Sequence, residues 1–547
     1  MTSPTADQAA QIDAAAPHSS RRSTARTFWW SFLALFAVFA AWALANPLTA
    51  APDEPAHATK AAAVVRGELV GEVFDPAHPG WGLVDVPAIV AFTTKMPNCF
   101  AFKSDVTAAC MPSLEGDPAD TTEAVSTAST YNPLYYAVVG LPSLIPTGVE
   151  TVYLMRLMSA ALCALALAWA FAQALTSRRP DWTGLGLVLA LTPMAVYMSG
   201  AINPASLEIA GAAALWVSLS VLVRDDDHVR AHARVIAICV IASVFVNLRG
   251  LSPLFLAIIV TATVLSSPFA RTWQTLRRRS TWPWLGLVAV ASVLSVVWTR
   301  TAGTLDSDGV VYHPTLDFWT AVEWSLGDTS VYVANQMGQF GWVDTNLPTW
   351  LLMTIAVTIG SVIVLALALG SRRERLVLIG LAVATVAIPV AIHASQAKYL
   401  GIVWQGRYFL PAAVGLPILS GVILARAFGH GGHRLAHRAV VLLGGTWLAY
   451  QLTAFVLNLH RYQNGSGHGW RTGPTDQWHP PVPVPLLYLV VLTGLAGVLA
   501  LCLRGTLRDP VAPAPVDAPP PGPGVDPAPA PAANDQQNRA NPTADLP

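Results

Sequence analysis

Thr27-Phe28-Trp29-Trp30-Ser31-Phe32-Leu33-Ala34-Leu35-Phe36-Ala37-Val38-Phe39-Ala40-Ala41-Trp42-Ala43-Leu44-Ala45 runs on through Asn46 to Leu48 and soon reaches Pro52-Asp53-Glu54-Pro55-Ala56-His57. The first stretch is apolar and long enough to cross about 30 Å of hydrocarbon as a helix. The second puts two carboxylates and an imidazole where that helix leaves the bilayer. Ionisable groups gathered at such a place point to chemistry.

Comparable apolar runs recur along all 547 residues, of which 53% are hydrophobic and 12% charged. Mean hydropathy is +0.48, and a soluble domain carries about 25% charged residues. Candidate spans are 27–48, 151–176, 182–200, 205–223, 235–249, 251–268, 282–300, 349–370, 376–393, 408–426, 439–458 and 485–503. The chain therefore reads as an all-α polytopic membrane protein with about 12–13 transmembrane helices, its lipid partner the bilayer. No basic, aromatic-laced patch points to nucleic acid. The first apolar run exceeds a signal-peptide core and reads as a retained helix.

Arginine sets the orientation. The connections 177–181, 224–234, 271–280, 371–375 and 426–438, with the flanks 21–26 and 504–508, hold 20 of the 32 Lys and Arg residues. The loops 50–130 and 301–348 are acidic. This asymmetry predicts a multi-pass protein with both termini cytoplasmic and exterior loops at 50–130, 301–348, 394–407 and 459–484. Parity then requires either that the apolar stretch 131–148, which carries Pro133, Pro142 and Pro146, does not cross fully or that a neighbouring segment such as 235–249 is not a full span. In the first case that stretch reads as juxtamembrane or re-entrant, inside a large first loop carrying juxtamembrane helices. Residues 1–26 read as a disordered cytoplasmic segment, 27–503 as the membrane domain, and 504–547 as a disordered Pro/Ala-rich tail. Cys99 and Cys110 share the first loop, where an oxidising exterior permits a disulfide. Cys163, Cys239 and Cys502 lie in apolar segments.

A helix from Asp53 to Val65 puts Asp53, His57 and Lys60 on one face, with Glu54 beside them. Such carboxylates can take a proton from a hydroxyl, and Asp53, Glu54 and His57 together can hold a divalent cation such as Mg or Mn. Acidic residues in a first turn also serve simply as helix caps. Arg156, Arg249 and Glu208 lie at or inside the edges of apolar segments. Arginines there either snorkel or act, and Glu208 is a natural partner for one of them. Trp319, Trp324 and Trp342 in the loop 301–348 fit an interfacial aromatic belt.

Three motifs carry a resemblance: Pro52-Asp53-Glu54-Pro55-Ala56-His57, Asn132-Pro133-Leu134-Tyr135-Tyr136, and Gln405-Gly406-Arg407-Tyr408-Phe409-Leu410-Pro411. Over roughly residues 27–503 the chain resembles the bacterial membrane-protein family called domain of unknown function 2142. That family in turn resembles the C-fold (GT-C) glycosyltransferases, which use polyprenyl-phosphate sugars. The resemblance implies a GT-C-like fold with transfer of a sugar to a cell-envelope acceptor on the outer face. Asp53 becomes the catalytic base or metal ligand, with Glu54 second. Arg407 would meet the lipid phosphate, with Gln405, Tyr408, His57, Lys60, Arg156 and Arg249 around the substrate. Asn132 stands where that superfamily often has His or Lys. A transporter or flippase of an envelope precursor is the competing reading, and a non-catalytic assembly protein a third. The transporter predicts broken helices at membrane depth.

Overall fold

The computed structural model describes residues 6–177, 179–224, 228–305, 311–401, 405–429, 432–469 and 477–506. The chain opens with α1 (Ala6–Ala45), so helix extends N-terminally through most of the segment expected to be disordered; residues 1–5 lie outside the described ones. The tail expected at 504–547 lies outside them from residue 507 onward.

A first loop follows α1. It holds α2 (Glu54–Val64), the strands β1 (Glu72–Asp75) and β2 (His78–Pro87), α3 (Ala88–Phe92), β3 (Thr121–Ser126) and α4 (Leu134–Val139). The membrane domain continues with α5 (Val149–Leu175), α6 (Pro180–Ala190), α7 (Pro193–Ser199), α8 (Pro204–Arg224), α9 (His228–Phe245), α10 (Ser252–Leu265), α11 (Phe269–Arg277) and α12 (Trp282–Thr301). A second loop carries α13 (Phe318–Gly327), α14 (Thr329–Gly338) and the hairpin of β4 (Gln339–Phe340) and β5 (Thr345–Asn346). Then come α15 (Thr349–Leu369), α16 (Arg372–Leu400), α17 (Leu410–Ala413), α18 (Gly415–Phe428), α19 (His433–Asn464) and α20 (Val484–Thr506).

Nine described helices are long and apolar enough to span a bilayer, or up to eleven when each of two bent pairs counts as one span. The protein is an all-α polytopic membrane protein. The count falls short of the expected range for local reasons. Segment 182–200 is broken: α6 and α7 meet at a 72° bend. Pro193 follows the break, and a residue before proline is pushed out of helical geometry. Segment 251–268 is a short helix that turns by 119° into α11. Segment 235–249 is a shorter apolar helix, Ala231–Phe245. The stretch 131–148 does not span; it is α4 followed by a 3-10 turn, Leu141–Leu144.

The first loop also holds an antiparallel sheet, β1-β2-β3, that the helix-only reading of this loop lacked. Val84 and Val86 alternate with Asp85 along β2, turning the valines into the core and the acid outward. Cys99 and Cys110 are joined by a disulfide between β2 and β3. Arg461 of α19 seats that covalent loop by donating to the carbonyls of Phe100, Lys103 and Val106, and to Asp344 at 2.9 Å.

In lipid, helices associate by close packing rather than by burial of oil from water. Gly186 of α6 and Gly421 of α18 meet backbone to backbone: a Cβ on Gly186 would sit 2.5 Å from the Pro417 carbonyl oxygen. Faces turned outward stay apolar, as with Val357 and Val364 on α15 and Val293 and Leu294 on α12.

The two ends of the bundle differ in charge. At one end Glu374, which also closes a capping box with Ser371, takes Arg224 at 3.0 Å and Arg426 at 2.6 Å. Arg271 donates to the Arg224 carbonyl at 2.8 Å, and Arg179 donates to that of Gly429. All five basic connections are thereby gathered at one end. The first loop and α2 lie at the other.

Candidate functional site

Asp53 ends the turn that follows α1 and has φ 64°, ψ −3°, a left-handed conformation that aspartate adopts more readily than most residues. Its carbonyl accepts from the His57 amide at 3.1 Å, starting α2. Its side chain makes no capping bond. The carboxylate instead accepts from Arg407 Nη2 at 3.0 Å. The cap explanation for Asp53 therefore fails: the side chain is turned to a partner at the far end of the sequence. The turn is pinned from the second loop and from α7 as well, by Trp342 Nε1 on the Thr49 carbonyl at 3.0 Å and by the Tyr197 hydroxyl on that of Ala50 at 3.3 Å.

The pair is asymmetric. The Arg407 side chain is 3% exposed and that of Asp53 is 50% exposed. Arg407 Nη1 is buried without a hydrogen-bond partner among the described residues. A buried guanidinium nitrogen left unmatched is costly, and it is the feature expected where an anionic ligand completes the site. The Arg249 and Arg407 guanidiniums both lie against the Tyr408 ring, 5.6 Å and 5.2 Å from its centre. Arg249 is fixed by Glu208 at 3.3 Å, with Ser252 donating to the same carboxylate at 2.5 Å. The partner expected for Glu208 is thus Arg249.

His57 lies beneath these charges. Its Nδ1 meets the Tyr136 hydroxyl at 2.8 Å, and its ring packs on Tyr131 at 5.6 Å. Burial pushes the imidazole down to about 3; Asp53 opposes this, while Arg249 and Arg407 add to it. Burial also pushes the Tyr136 hydroxyl well above its usual range. At neutral pH this is an uncharged pair that supports the floor of the site.

The other expected residues separate. Glu54 is fully buried and turned away from Asp53. Arg156 Nε and Nη2 donate to its two oxygens at 2.8 Å and 2.6 Å, and the Ile202 amide adds 3.0 Å. The rest of the Arg156 guanidinium closes the end of α1, donating to the carbonyls of Ala43, Asn46 and Pro47 at 2.9, 2.9 and 2.7 Å. Neither residue keeps a group for a substrate. Lys60 is buried and donates to the carbonyls of Leu69 and Ser129; burial pushes its ammonium down to about 8. Gln405 gives its carbonyl to the Tyr408 amide at 3.1 Å. Asn132 bonds Asn247 at 3.1 Å.

The expected metal triad does not form. Asp53 goes to Arg407, Glu54 to Arg156 and His57 to Tyr136. No group of three His, Cys, Asp or Glu side chains placed to hold a metal ion occurs among the described residues. Tyr131 and Tyr136 were given no role from sequence, although Tyr136 ends a motif already singled out there.

An all-α membrane domain with an exposed carboxylate set against two held arginines at one end defines the class: a polytopic membrane protein with a charged, half-open site. The family model described as a predicted membrane protein, DUF2142, matches residues 36–416, and the chain belongs to that family. The match spans both Asp53 and Arg407. No curated protein matches the chain.

Proposed function

We propose that this protein is a GT-C-like membrane glycosyltransferase that moves a sugar from a polyprenyl-phosphate donor to a cell-envelope acceptor. The observation that carries the reading is the exposed Asp53 carboxylate held on the buried Arg407, whose Nη1 has no partner among the described residues. Asp53 takes the proton of the acceptor hydroxyl as its oxygen attacks the anomeric carbon. The bond from that carbon to the phosphate oxygen breaks, and the lipid phosphate leaves with the electron pair. Arg407, aided by Arg249 across Tyr408, meets that charge, with bidentate geometry available to a phosphate. Direct displacement inverts the anomeric configuration. Glu54 and Arg156 hold the turn that presents Asp53.

The gathering of basic connections at the opposite end supports placing that end in the cytoplasm and the site outside, at the plasma membrane. The test is transfer from a radiolabelled polyprenyl-phosphate sugar by the purified protein in nanodiscs, with the product's anomeric configuration read by NMR. An inverted product supports the reading; a retained configuration removes the single-displacement step.

A transporter of an envelope precursor is the second reading, favoured by the bent pairs α6–α7 and α10–α11. Against it, the polar groups at the α6–α7 break are already paired within the protein. The Leu191 carbonyl accepts from Trp447 at 2.9 Å and Gln451 at 2.6 Å, and the Thr192 hydroxyl donates to the Gln336 carbonyl at 2.7 Å. Movement of a lipid-linked sugar across vesicles without bond cleavage would favour the transporter.

A further inference from the structure

From His228 to Leu305 the chain has eight arginines and no Asp or Glu. Three of the arginines are consecutive, Arg277-Arg278-Arg279, where α11 ends and turns into α12. α11 turns by 119° from α10, so it runs across the line of that helix instead of extending it. None of its residues is buried. Phe269, Trp273 and Leu276, at i, i+4 and i+7, share one face and are 62%, 46% and 41% exposed. The Phe269 and Trp273 rings stack at 6.2 Å. Trp282, which opens α12, is also exposed; its Nε1 donates to the Leu276 carbonyl at 3.0 Å and holds a third aromatic at the end of that face.

The arginine turn is well ordered. The Thr281 amide donates to the Arg278 carbonyl at 2.9 Å, and the Thr281 hydroxyl to that of Thr275 at 3.1 Å. The Arg277 guanidinium lies over the Trp273 ring, 5.0 Å from its centre. Arg277, Arg278 and Arg279 are exposed, and none of them forms an ion pair among the described residues. Arg271 ties the helix to the basic end of the bundle through the Arg224 carbonyl. Three adjacent cations without a carboxylate repel one another until an anion joins them. A soluble anion would leave Phe269, Trp273 and Leu276 in water. An amphipathic helix of this kind is satisfied by a partner that is both apolar and anionic.

We propose that α11 and the Arg277–Arg279 turn form a binding site for the headgroup of an acidic phospholipid in the leaflet at the basic end. The apolar face beds among the upper parts of the lipid chains, and the arginines take the headgroup phosphate. The site lies at the end of the bundle opposite Asp53, and its existence does not depend on sugar transfer.

Arg372, Arg373 and Arg375 supply a matched control: they are exposed at the same end, in the connection to α16, with no aromatic residue beside them. The full-length protein in phosphatidylcholine nanodiscs is photolabelled with phosphatidylglycerol bearing a diazirine near the top of one chain, and in a second arm with phosphatidylcholine carrying the same tail. Label on residues 268–282 is read by mass spectrometry. The expected result is at least fivefold more label from phosphatidylglycerol. The excess disappears when Arg277→Gln, Arg278→Gln and Arg279→Gln are combined, and persists when Arg372→Gln, Arg373→Gln and Arg375→Gln are combined. Phe269→Ala with Trp273→Ala lowers labelling by both lipids at least threefold. All three variants should melt as the wild type does, because none of the changed side chains is buried. Equal labelling by the two lipids, an equal loss in both arginine variants, or labelling indifferent to the aromatic pair overturns the site.

Discussion

Asp53 Oδ2 and Arg407 Nη2 lie 3.0 Å apart although 354 residues separate them in the chain. The contact ties the turn after the first membrane helix to the turn that opens α17 and α18. It leaves the acid open to solvent and the base buried. Asp53→Asn keeps the size of the side chain and removes the charge. The expected outcome is a loss of transfer of about 10²- to 10⁴-fold, with a fall in melting temperature smaller than that of Glu54→Gln, because Arg407 is buried but the carboxylate it loses is half-exposed. Initial rates in nanodiscs and a thermal melt in detergent check both halves.

Glu54 is expected to behave differently from its neighbour. Glu54→Gln leaves Arg156 as a buried charge without its counter-ion, a change that costs about 3–5 kcal/mol. The signature is a marked fall in melting temperature. Activity per folded molecule should survive, because neither oxygen of Glu54 faces the site. A Glu54→Gln protein that melts normally but is inactive would reverse the roles of the two acids.

Arg407→Lys keeps the positive charge and loses the fork. Weaker holding of the lipid phosphate should appear as a rise in KM of about tenfold, equivalent to about 1.4 kcal/mol. Arg407→Ala should lower kcat as well, because the departing phosphate then lacks its cation. Equal kinetics for wild type and both variants would remove Arg407 from the site.

The His57 imidazole, pushed down to about 3 from an ordinary value of 6.5, stays neutral in the folded protein. The unfolded chain therefore binds one more proton between those values. His57 thus contributes stability that is full above pH 6.5 and is lost as the pH falls toward 3, with a slope of up to about 1.4 kcal/mol per pH unit. Melting curves from pH 7 to pH 4 should show the decline, and His57→Asn should flatten it relative to wild type.

Sequence alone made much of this legible, for physical reasons that can be named. The apolar runs declare membrane helices because backbone polar groups in lipid must pair within the segment. Helix α2 was visible from the prolines and the i, i+4 spacing of Asp53 and His57. Arginine parity narrowed the odd segment to 131–148 or a neighbour such as 235–249; in the structure the former does not span and the latter is a shorter apolar helix. The link of Asp53 to Arg407 was legible only through motifs, since no local rule pairs residues so far apart. The separation of Asp53 from Glu54 was not legible. Adjacent residues point to different sides once the backbone at Asp53 turns left-handed, and that turn depends on contacts from Trp342 and Tyr197. The sheet β1-β2-β3 was missed because its outer strand exposes Glu72, Val73 and Phe74 alike, leaving no alternation to read.

The most direct test of the central claim is sugar transfer from a polyprenyl-phosphate donor, measured side by side for the wild type and Asp53→Asn at equal folded concentration. The account predicts robust transfer by the wild type and at least a hundredfold less by the variant, about 10² being the low end for loss of a general base. Equal transfer by both proteins would contradict it.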